Sequence, residues 1–277
     1  MKDATLPLER LFSLPAFEGL KLLRSQLSEN PSLDVEEAAI IVSRVEADSA
    51  SLDLEAAKVM IAFLPEGTAN HGADFFRGCI HGLLVKFQPV WARTMMSGRS
   101  RFYQALNRDE QSLFRQTGIL DDPAPDDFVD WWDSLTRALR LIVDKAKMDQ
   151  GRAAERLTLE LERDRLQKLG IKEQPRWVGL DDNTKGYDVL SYEIAPSGLV
   201  NKLIEVKSTT ASPLRFRLTR NEWSQAEKYA DAYVFHIWDM QKAPPILHIR
   251  TVEQVKPNVP KDNAKGKWRD AEIAVGI

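Results

Sequence analysis

Hydrophobic residues recur every three to four positions through the first half of the chain, which is the spacing of amphipathic helices. The pattern is clear over residues 33–45, 54–64 and 100–117. It also runs over residues 75–96, where Pro89 is expected to interrupt the helix. We therefore predict an all-helical N-terminal half.

A proline-rich acidic run, DDPAPDD at residues 121–127, indicates a turn or linker after these helices. From residue 128 to about residue 169 the helical spacing returns, either as one long helix or as two helices that meet at Gly151. These boundaries predict a helical domain at residues 1–122, a connecting helix at residues 123–150 and a C-terminal domain at residues 151–277.

Short runs of strand-forming residues replace the helical spacing in the C-terminal part. Residues 187–194 and 203–208 are such runs, and the Ala195-Pro196-Ser197-Gly198 segment between them predicts a hairpin. Further expected elements are a strand at residues 215–218, a helix that begins with the capping box Thr219-Arg220-Asn221-Glu222 and ends near Ala230, and strands at residues 232–238 and 246–251. The chain is thus predicted to have an α+β fold, in which the C-terminal domain contains a mixed sheet.

The composition is that of a soluble globular protein, with 277 residues, 43% of them hydrophobic and 29% charged. The formal net charge of -3 does not by itself indicate a nucleic-acid partner, although a local basic groove could still bind one. Basic residues are concentrated in the C-terminal tail, at Lys256, Lys261, Lys265, Lys267 and Arg269.

Cysteine usage and hydropathy exclude several classes of protein. Cys79 is the single cysteine of the sequence, so an intrachain disulfide and the usual zinc-finger spacings are excluded. No apolar run approaches the ~18 residues of a membrane span, and the acidic, polar start of the chain is unlike a secretory signal. We therefore expect a cytoplasmic protein without a membrane partner.

The residues that suggest chemistry are Asp188 and the run Ile204-Glu205-Val206-Lys207. Alternate residues of a strand share a face, so Glu205 and Lys207 should point one way and Ile204 and Val206 into an apolar layer. The hairpin should bring Asp188 alongside, about 5 Å from its neighbour strand. Two adjacent carboxylates favour a shared cation such as Mg²⁺, and a nearby lysine can stabilise negative charge on a phosphate under attack.

The runs NTKGYDVLSYE, LIEVKST and FRLTRNEWSQAEKYADAYVF resemble the NO VEIN C-terminal domain, which is placed within the PD-(D/E)XK nuclease superfamily. The resemblance covers roughly residues 151–250. It implies a restriction-endonuclease-like α/β domain with a mixed sheet. It also implies that Asp188, Glu205 and Lys207 are the catalytic motif residues.

The resemblance further implies a metal site in which Asp188, Glu205 and the Val206 carbonyl hold Mg²⁺, with Mn²⁺ as a substitute. The preceding helix in such folds often supplies another glutamate, for which Glu155 is the candidate, with Glu162 behind it. Gln225 and Tyr229 fit a Gln-x-x-x-Tyr spacing found after the core motif in some relatives.

These features lead to the hypothesis of a metal-dependent endonuclease that hydrolyses DNA, with restriction or anti-phage defence as its setting. Lys207 would position or activate the attacking water. The helical half would serve oligomerisation or contact with a partner protein. One alternative is a catalytically inactive nuclease-fold module that binds nucleic acid or a partner protein. Another is a purely structural salt bridge between Lys207 and Glu205 or Asp188.

Overall fold

The computed structural model describes residues 6–263 and 266–276. The contacts within the chain group it into two units, Met1–Asp144 and Lys145–Ile277. The exposed run at residues 121–127 lies inside the first unit, and the boundary between the units falls within a helix. Lys265 and the first five residues of the N-terminal segment considered above lie outside the described residues.

The first unit is helical, as the periodicity predicts. Its helices are α1 (Leu8–Leu11), α2 (Leu14–Glu29), α3 (Val35–Val45), α4 (Leu54–Ile61), α5 (Gly72–Phe87), α6 (Arg99–Ala105) and α7 (Arg108–Arg115). The break expected at Pro89 is confirmed, because α5 ends before it and a 3-10 segment, Val90–Ser97, follows. Leucines and phenylalanines together make up more than half of the buried core of this unit, and Phe102 and Phe114 pack edge to face in it.

The long helix α8 (Asp126–Lys168) is continuous, without the break considered at Gly151. Acidic residues in its first turn and basic residues in its last turn complement the helix dipole. Its end is fixed by Gly170, whose φ of 71° allows the Ile171 amide to donate to the Leu166 carbonyl at 3.0 Å.

The second unit holds the predicted mixed sheet. After α8 come β1 (Arg176–Trp177), α9 (Val178–Asp181), β2 (Val189–Ala195), β3 (Gly198–Thr209), β4 (Arg215–Thr219), α10 (Arg220–Tyr229), β5 (Tyr233–Asp239), β6 (Ile246–Thr251), α11 (Val252–Val255) and β7 (Asp270–Ala274). Five strands form one sheet in the order β1-β2-β3-β5-β6, in which only the β3–β5 pair is parallel. Strands β4 and β7 form a separate antiparallel pair.

The two faces of β3 contact different helices, which fixes where its polar residues point. Ile204 and Val206 pack in the cluster that contains Ala154 of α8. Leu203, on the other face, packs in the cluster that contains Trp223 of α10. Glu205 and Lys207 alternate with Ile204 and Val206, so they face the α10 layer.

The strands differ from the sequence prediction in the start of β3 and in the presence of two additional short strands. β3 begins at Gly198, five residues earlier than predicted, because the hairpin turn consists of only Pro196 and Ser197. β1 and β7 are additional short strands that the strand-forming pattern did not indicate. Among the helices within residues 6–263 and 266–276, none combines the length and the apolar character needed to cross a membrane.

Candidate active site at the hairpin of β2 and β3

Asp188 lies at the start of β2, beside the middle of β3. The register pairs Val189 with Ile204, and the Asp188 amide donates to the Ile204 carbonyl at 3.0 Å. Its side-chain Oδ2 accepts the Val206 amide at 2.8 Å. The N–H and C=O of one strand residue project from the same edge, so the Val206 carbonyl lies at the edge that Asp188 occupies. The hairpin thus brings together Asp188 and the central part of β3, as the alternation predicts.

Lys207 is held between two glutamates. Its Nζ lies 2.8 Å from Glu205 Oε1 and 2.8 Å from Glu222 Oε2. All three side chains are largely buried, the Glu205 side chain being 5% exposed. Because buried charges are costly unless they are paired, this arrangement holds the lysine tightly in one place.

Glu222 reaches Lys207 because of the way α10 begins. Thr219 and Glu222 form the predicted capping box, in which Glu222 Oε2 accepts the Thr219 amide at 2.9 Å. The same oxygen accepts the hydrogen bond from Lys207. The sequence indicated the cap but not this second contact, since a capping motif reports only local structure.

Tyr233 is another residue of the site that sequence reasoning missed. Its buried hydroxyl donates to the Gly186 carbonyl at 2.7 Å and lies 3.4 Å from Glu205 Oε2. The hydroxyl therefore links the loop before Asp188 to Glu205. We call Asp188, Glu205 and Glu222 together the acidic cluster. Tyr233 opens β5 at the register position beside Leu203, a pairing that no local pattern could reveal.

Glu155 of α8 lies near Asp188, as expected for the glutamate of the preceding helix. Its Oε2 accepts hydrogen bonds from Arg152 Nη1 at 2.8 Å and from Trp177 Nε1. Its charge also contributes to raising the pKa of Asp188, which indicates electrostatic proximity. Glu155 thus joins the edge of the acidic cluster and is anchored by its own partners.

Glu162 lies in a different cluster. It is 1% exposed and accepts hydrogen bonds from Arg165 at 2.6 Å, Ser191 at 2.6 Å and Lys202 at 3.2 Å. Burial by itself would raise the pKa of Glu162, but these donors and cations outweigh burial and lower it. Glu162 is therefore a buried ion-pair residue rather than a second ligand behind Glu155.

Gln225 and Tyr229 differ in their positions relative to the site. Gln225 lies against Gly186, where a Cβ added to the glycine would come 2.6 Å from Gln225 Cγ. Gly186 also accepts the Tyr233 hydroxyl, so Gln225 borders the site. Tyr229 is 39% exposed at the end of α10, with Lys228 Nζ 5.0 Å from its ring centre. The Gln-x-x-x-Tyr spacing therefore brings one residue, Gln225, to the site.

The electrostatics of the cluster favour added positive charge. Burial raises the pKa of Asp188 to about 6, against the hydrogen bond from Val206. Burial also raises the pKa of Glu205, an effect that Lys207 opposes and that the Asp188 charge reinforces. Burial would lower the pKa of Lys207, but Glu205 and Glu222 outweigh burial and raise it. The site thus holds more carboxylates than its one ammonium group can neutralise.

The carboxylate and carbonyl oxygens of the cluster are the donors that a hard divalent cation takes. The Asp188 carboxylate contacts β3 at Val206, the residue after Glu205, and the charges of Asp188 and Glu155 act on the neighbouring acids. In the described part of the chain, no three His, Cys, Asp or Glu side chains are already arranged as a metal-binding group. Ligation would therefore use the Asp188–Glu205 pair, and Glu205 would exchange Lys207 for the cation.

Gly179 of α9 packs directly against Asp188. Its amide donates to the Asp188 carbonyl at 2.9 Å, and a Cβ at this position would lie 2.6 Å from Asp188 Oδ1 and 3.2 Å from Asp188 Cα. An added methyl group can be accommodated only if Asp188 or its backbone moves. Position 179 therefore requires glycine if Asp188 is to keep its contact with Val206.

We expect Gly179→Ala to lower the free energy of unfolding by about 1–3 kcal/mol, the usual cost of overpacking. Denaturant unfolding measures this change. The matched control is Gly151→Ala in α8, where a Cβ would meet no atom within 4 Å. That variant should gain up to ~1 kcal/mol from helix propensity. Equal stability of the two variants would show that residue 179 does not constrain Asp188.

The comparisons with known proteins agree with the location of this cluster. A family model described as Protein NO VEIN, C-terminal, matches residues 154–249, about a third of the chain. The matched stretch runs from α8 to β6 and includes Asp188, Glu205, Lys207, Glu222 and Tyr233. The resemblance of the sequence to the NO VEIN C-terminal domain is thus confirmed over this part. No significant match to a curated protein or to a solved structure was found.

Proposed function

We propose that the second unit is a restriction-endonuclease-like domain of the PD-(D/E)XK class and hydrolyses DNA phosphodiester bonds with a divalent metal. The observation that carries this proposal is the convergence of Asp188, Glu205 and Lys207 at the hairpin of β2 and β3. The buried carboxylate of Glu205 and the half-buried carboxylate of Asp188, beside a fixed ammonium group, can provide the cation ligands and the positive charge that phosphodiester hydrolysis requires.

The arrangement of the sheet supports the same class. The β2–β3 hairpin supplies both acids, and α8 covers one face of the hairpin. Helix α10 connects β4 to β5, and β5 runs parallel to β3. Asp188, Glu205 and Lys207 therefore come from the hairpin or the residue directly before it, whereas Glu155 comes from α8 and Gln225 from α10. A site on paired strands is held more rigidly than a site on loops.

Mg²⁺, or Mn²⁺ in its place, would be held by Asp188, Glu205 and the Val206 carbonyl, with Glu155 as a further ligand. The bound cation would supply a polarised water and neutralise charge on the phosphate. Asp188 is already oriented for this role, because the Val206 amide fixes its carboxylate. The raised pKa values of Asp188 and Glu205, which a nearby cation would lower, support a cation at this place.

Lys207 acts in this proposal as a fixed positive charge. Its raised pKa keeps the ammonium group protonated at neutral pH, so it can orient a water and stabilise a phosphate but cannot take up a proton. If Glu205 were to bind a cation, Glu222 would still hold Lys207 in position. Glu222 is therefore assigned the role of positioning the lysine.

A second function is favoured by one specific observation, the double ion pair of Lys207 with Glu205 and Glu222. If this pair persists when metal is added, the domain is an inactive nuclease fold that binds nucleic acid or a partner protein. In either case the helical first unit would provide a contact for a partner or a second copy. Restriction or anti-phage defence is the proposed biological setting of the active form.

The test of the proposed function is a cleavage assay on single- and double-stranded DNA and RNA with Mg²⁺, Mn²⁺ or EDTA. We expect cleavage of DNA with either metal and none with EDTA. Asp188→Asn serves as the matched control, because it keeps the shape of the side chain and removes its charge. Metal-dependent cleavage that persists in this variant would contradict the proposed site, and binding without cleavage would favour the inactive module.

The raised pKa of Asp188 predicts a defined pH dependence of stability. A carboxyl whose pKa is higher in the folded state, here about 6, stabilises the fold below its unfolded pKa of ~3.9 and loses this contribution as pH rises through 6. In EDTA, Asp188→Asn should therefore become more stable than the wild type between about pH 4 and pH 7. The expected difference is on the order of 2–3 kcal/mol. Urea unfolding of the two proteins at several pH values measures this difference. A difference in the free energy of unfolding that stays constant with pH would contradict the burial of Asp188.

A further inference from the structure

Two arginines of α8 lie over an aromatic ring at the margin of the acidic cluster. The guanidinium carbons of Arg152 and Arg156 lie 5.5 Å and 5.8 Å from the centre of the Trp177 ring. The two arginines are four residues apart and so project from the same side of the helix. They form, with Trp177, what we call the arginine–tryptophan cluster.

This cluster is connected to the acidic site by direct contacts. Trp177 Nε1 and Arg152 Nη1 both donate to Glu155 Oε2. Trp177 pairs in the sheet with Val189, the residue that follows Asp188. The two guanidinium groups are therefore placed beside the proposed cleavage site by the same residues that fix Glu155.

The two arginines differ in their exposure and in their ion pairs within the protein. Arg152 is partly buried and pairs with Glu155, so it contributes mainly to the structure of the cluster. Arg156 is exposed, and among the described residues no carboxylate forms an ion pair with it. A ring beneath a guanidinium group restrains its plane and leaves its N–H groups free at the edge. Arg156 thus presents donors to the solvent next to the site.

A local basic contact would help this chain to bind a polyanion. The chain carries a formal net charge of -3, which includes the carboxylates of the proposed site, so a nucleic-acid backbone is repelled on approach. We propose that the arginine–tryptophan cluster binds a backbone phosphate of DNA next to the one that is cleaved, through the guanidinium of Arg156. This inference rests on the proposed function and specifies how its substrate is held.

The test is binding of a short fluorescent DNA duplex to the full chain in EDTA, at a series of salt concentrations. Arg156→Gln should weaken binding roughly tenfold and reduce the magnitude of the slope of log K against log salt by about 0.9, the value for one lost phosphate contact. The matched control is Arg163→Gln, seven residues further along α8. It removes the same charge from another exposed position of α8, one that does not belong to the arginine–tryptophan cluster. It should leave the affinity within about twofold.

Equal weakening by the two substitutions would overturn the proposal, because net charge alone would then explain binding. Unchanged binding in Arg156→Gln would overturn it as well. Arg156→Lys should keep the salt slope but recover only part of the affinity, since lysine lacks the planar fork.

Cleavage kinetics separate this inference from the function on which it rests. If both hold, Arg156→Gln raises KM and leaves kcat nearly unchanged. If the wild type binds DNA without cutting it, and Arg156→Gln still weakens that binding selectively, the nuclease function fails and the phosphate contact stands. Normal cleavage with an unchanged KM in Arg156→Gln would overturn the contact alone.

Discussion

Replacing Lys207 by methionine is expected to lower the rate of DNA cleavage at least ~100-fold, the usual cost of losing one electrostatic stabiliser of a transition state. The same change should also lower the free energy of unfolding by about 3–5 kcal/mol, because it leaves buried carboxylates without their cation. The ion pairs with Glu205 and Glu222 are the reason for this second effect.

The double variant Lys207→Met with Glu222→Gln separates the two effects, because Glu222 pairs with Lys207 but is not a proposed metal ligand. Removing the charge of Glu222 as well should restore much of the lost stability, since only Glu205 then lacks its partner. It should not restore cleavage. Single-turnover cleavage and urea unfolding measured on the same preparations check both parts. Recovery of cleavage together with stability would show that Lys207 is only a structural counter-ion.

Mg²⁺ or Mn²⁺ is expected to raise the melting temperature of the wild-type protein by a few degrees. At ten times the dissociation constant a ligand that binds only the folded state contributes about 1.4 kcal/mol. For a unit of this size that corresponds to a shift of roughly 3–6 °C. Thermal unfolding with metal or EDTA, at pH 8 where Asp188 is ionised, provides the measurement.

Asp188→Asn and Glu205→Gln are the variants in which this metal-dependent shift should disappear. They differ in the metal-free protein. Asp188→Asn should melt higher than the wild type at pH 8, whereas Glu205→Gln also removes one partner of Lys207 and should gain less. The measurement is repeated with a short DNA duplex, because a phosphate can complete a metal site. A wild type without a shift under both conditions would rule out the metal site.

The parts of the fold that depend on local patterns could be predicted from the sequence. The helical first half, the hairpin of β2 and β3 and the cap of α10 all follow from residue spacing and turn residues. Strands that are stabilised by distant partners could not be predicted. β7 is an example, because its five residues form a strand only by pairing with β4 more than fifty residues earlier.

The candidate site shows the same division. Asp188, Glu205 and Lys207 lie close together because alternation along β3 and the hairpin register are local properties. Glu222 and Tyr233 reach the site from α10 and β5, and the parallel pairing of β3 with β5 is what brings them there. The ion pairing of Glu162 likewise depends on Lys202 and Ser191, which meet it only in the folded sheet.

The central place of β3 in the five-stranded sheet has a consequence for hydrogen exchange and heat inactivation. A strand paired on both sides opens only when the whole cooperative unit unfolds, whereas edge strands such as β1 and β6 open in smaller fluctuations. The amides of residues 203–207 should therefore be among the slowest to exchange with deuterated solvent. Local opening at the sheet edges would leave the acids and the lysine assembled, so inactivation by heat should coincide with global unfolding of the second unit rather than precede it.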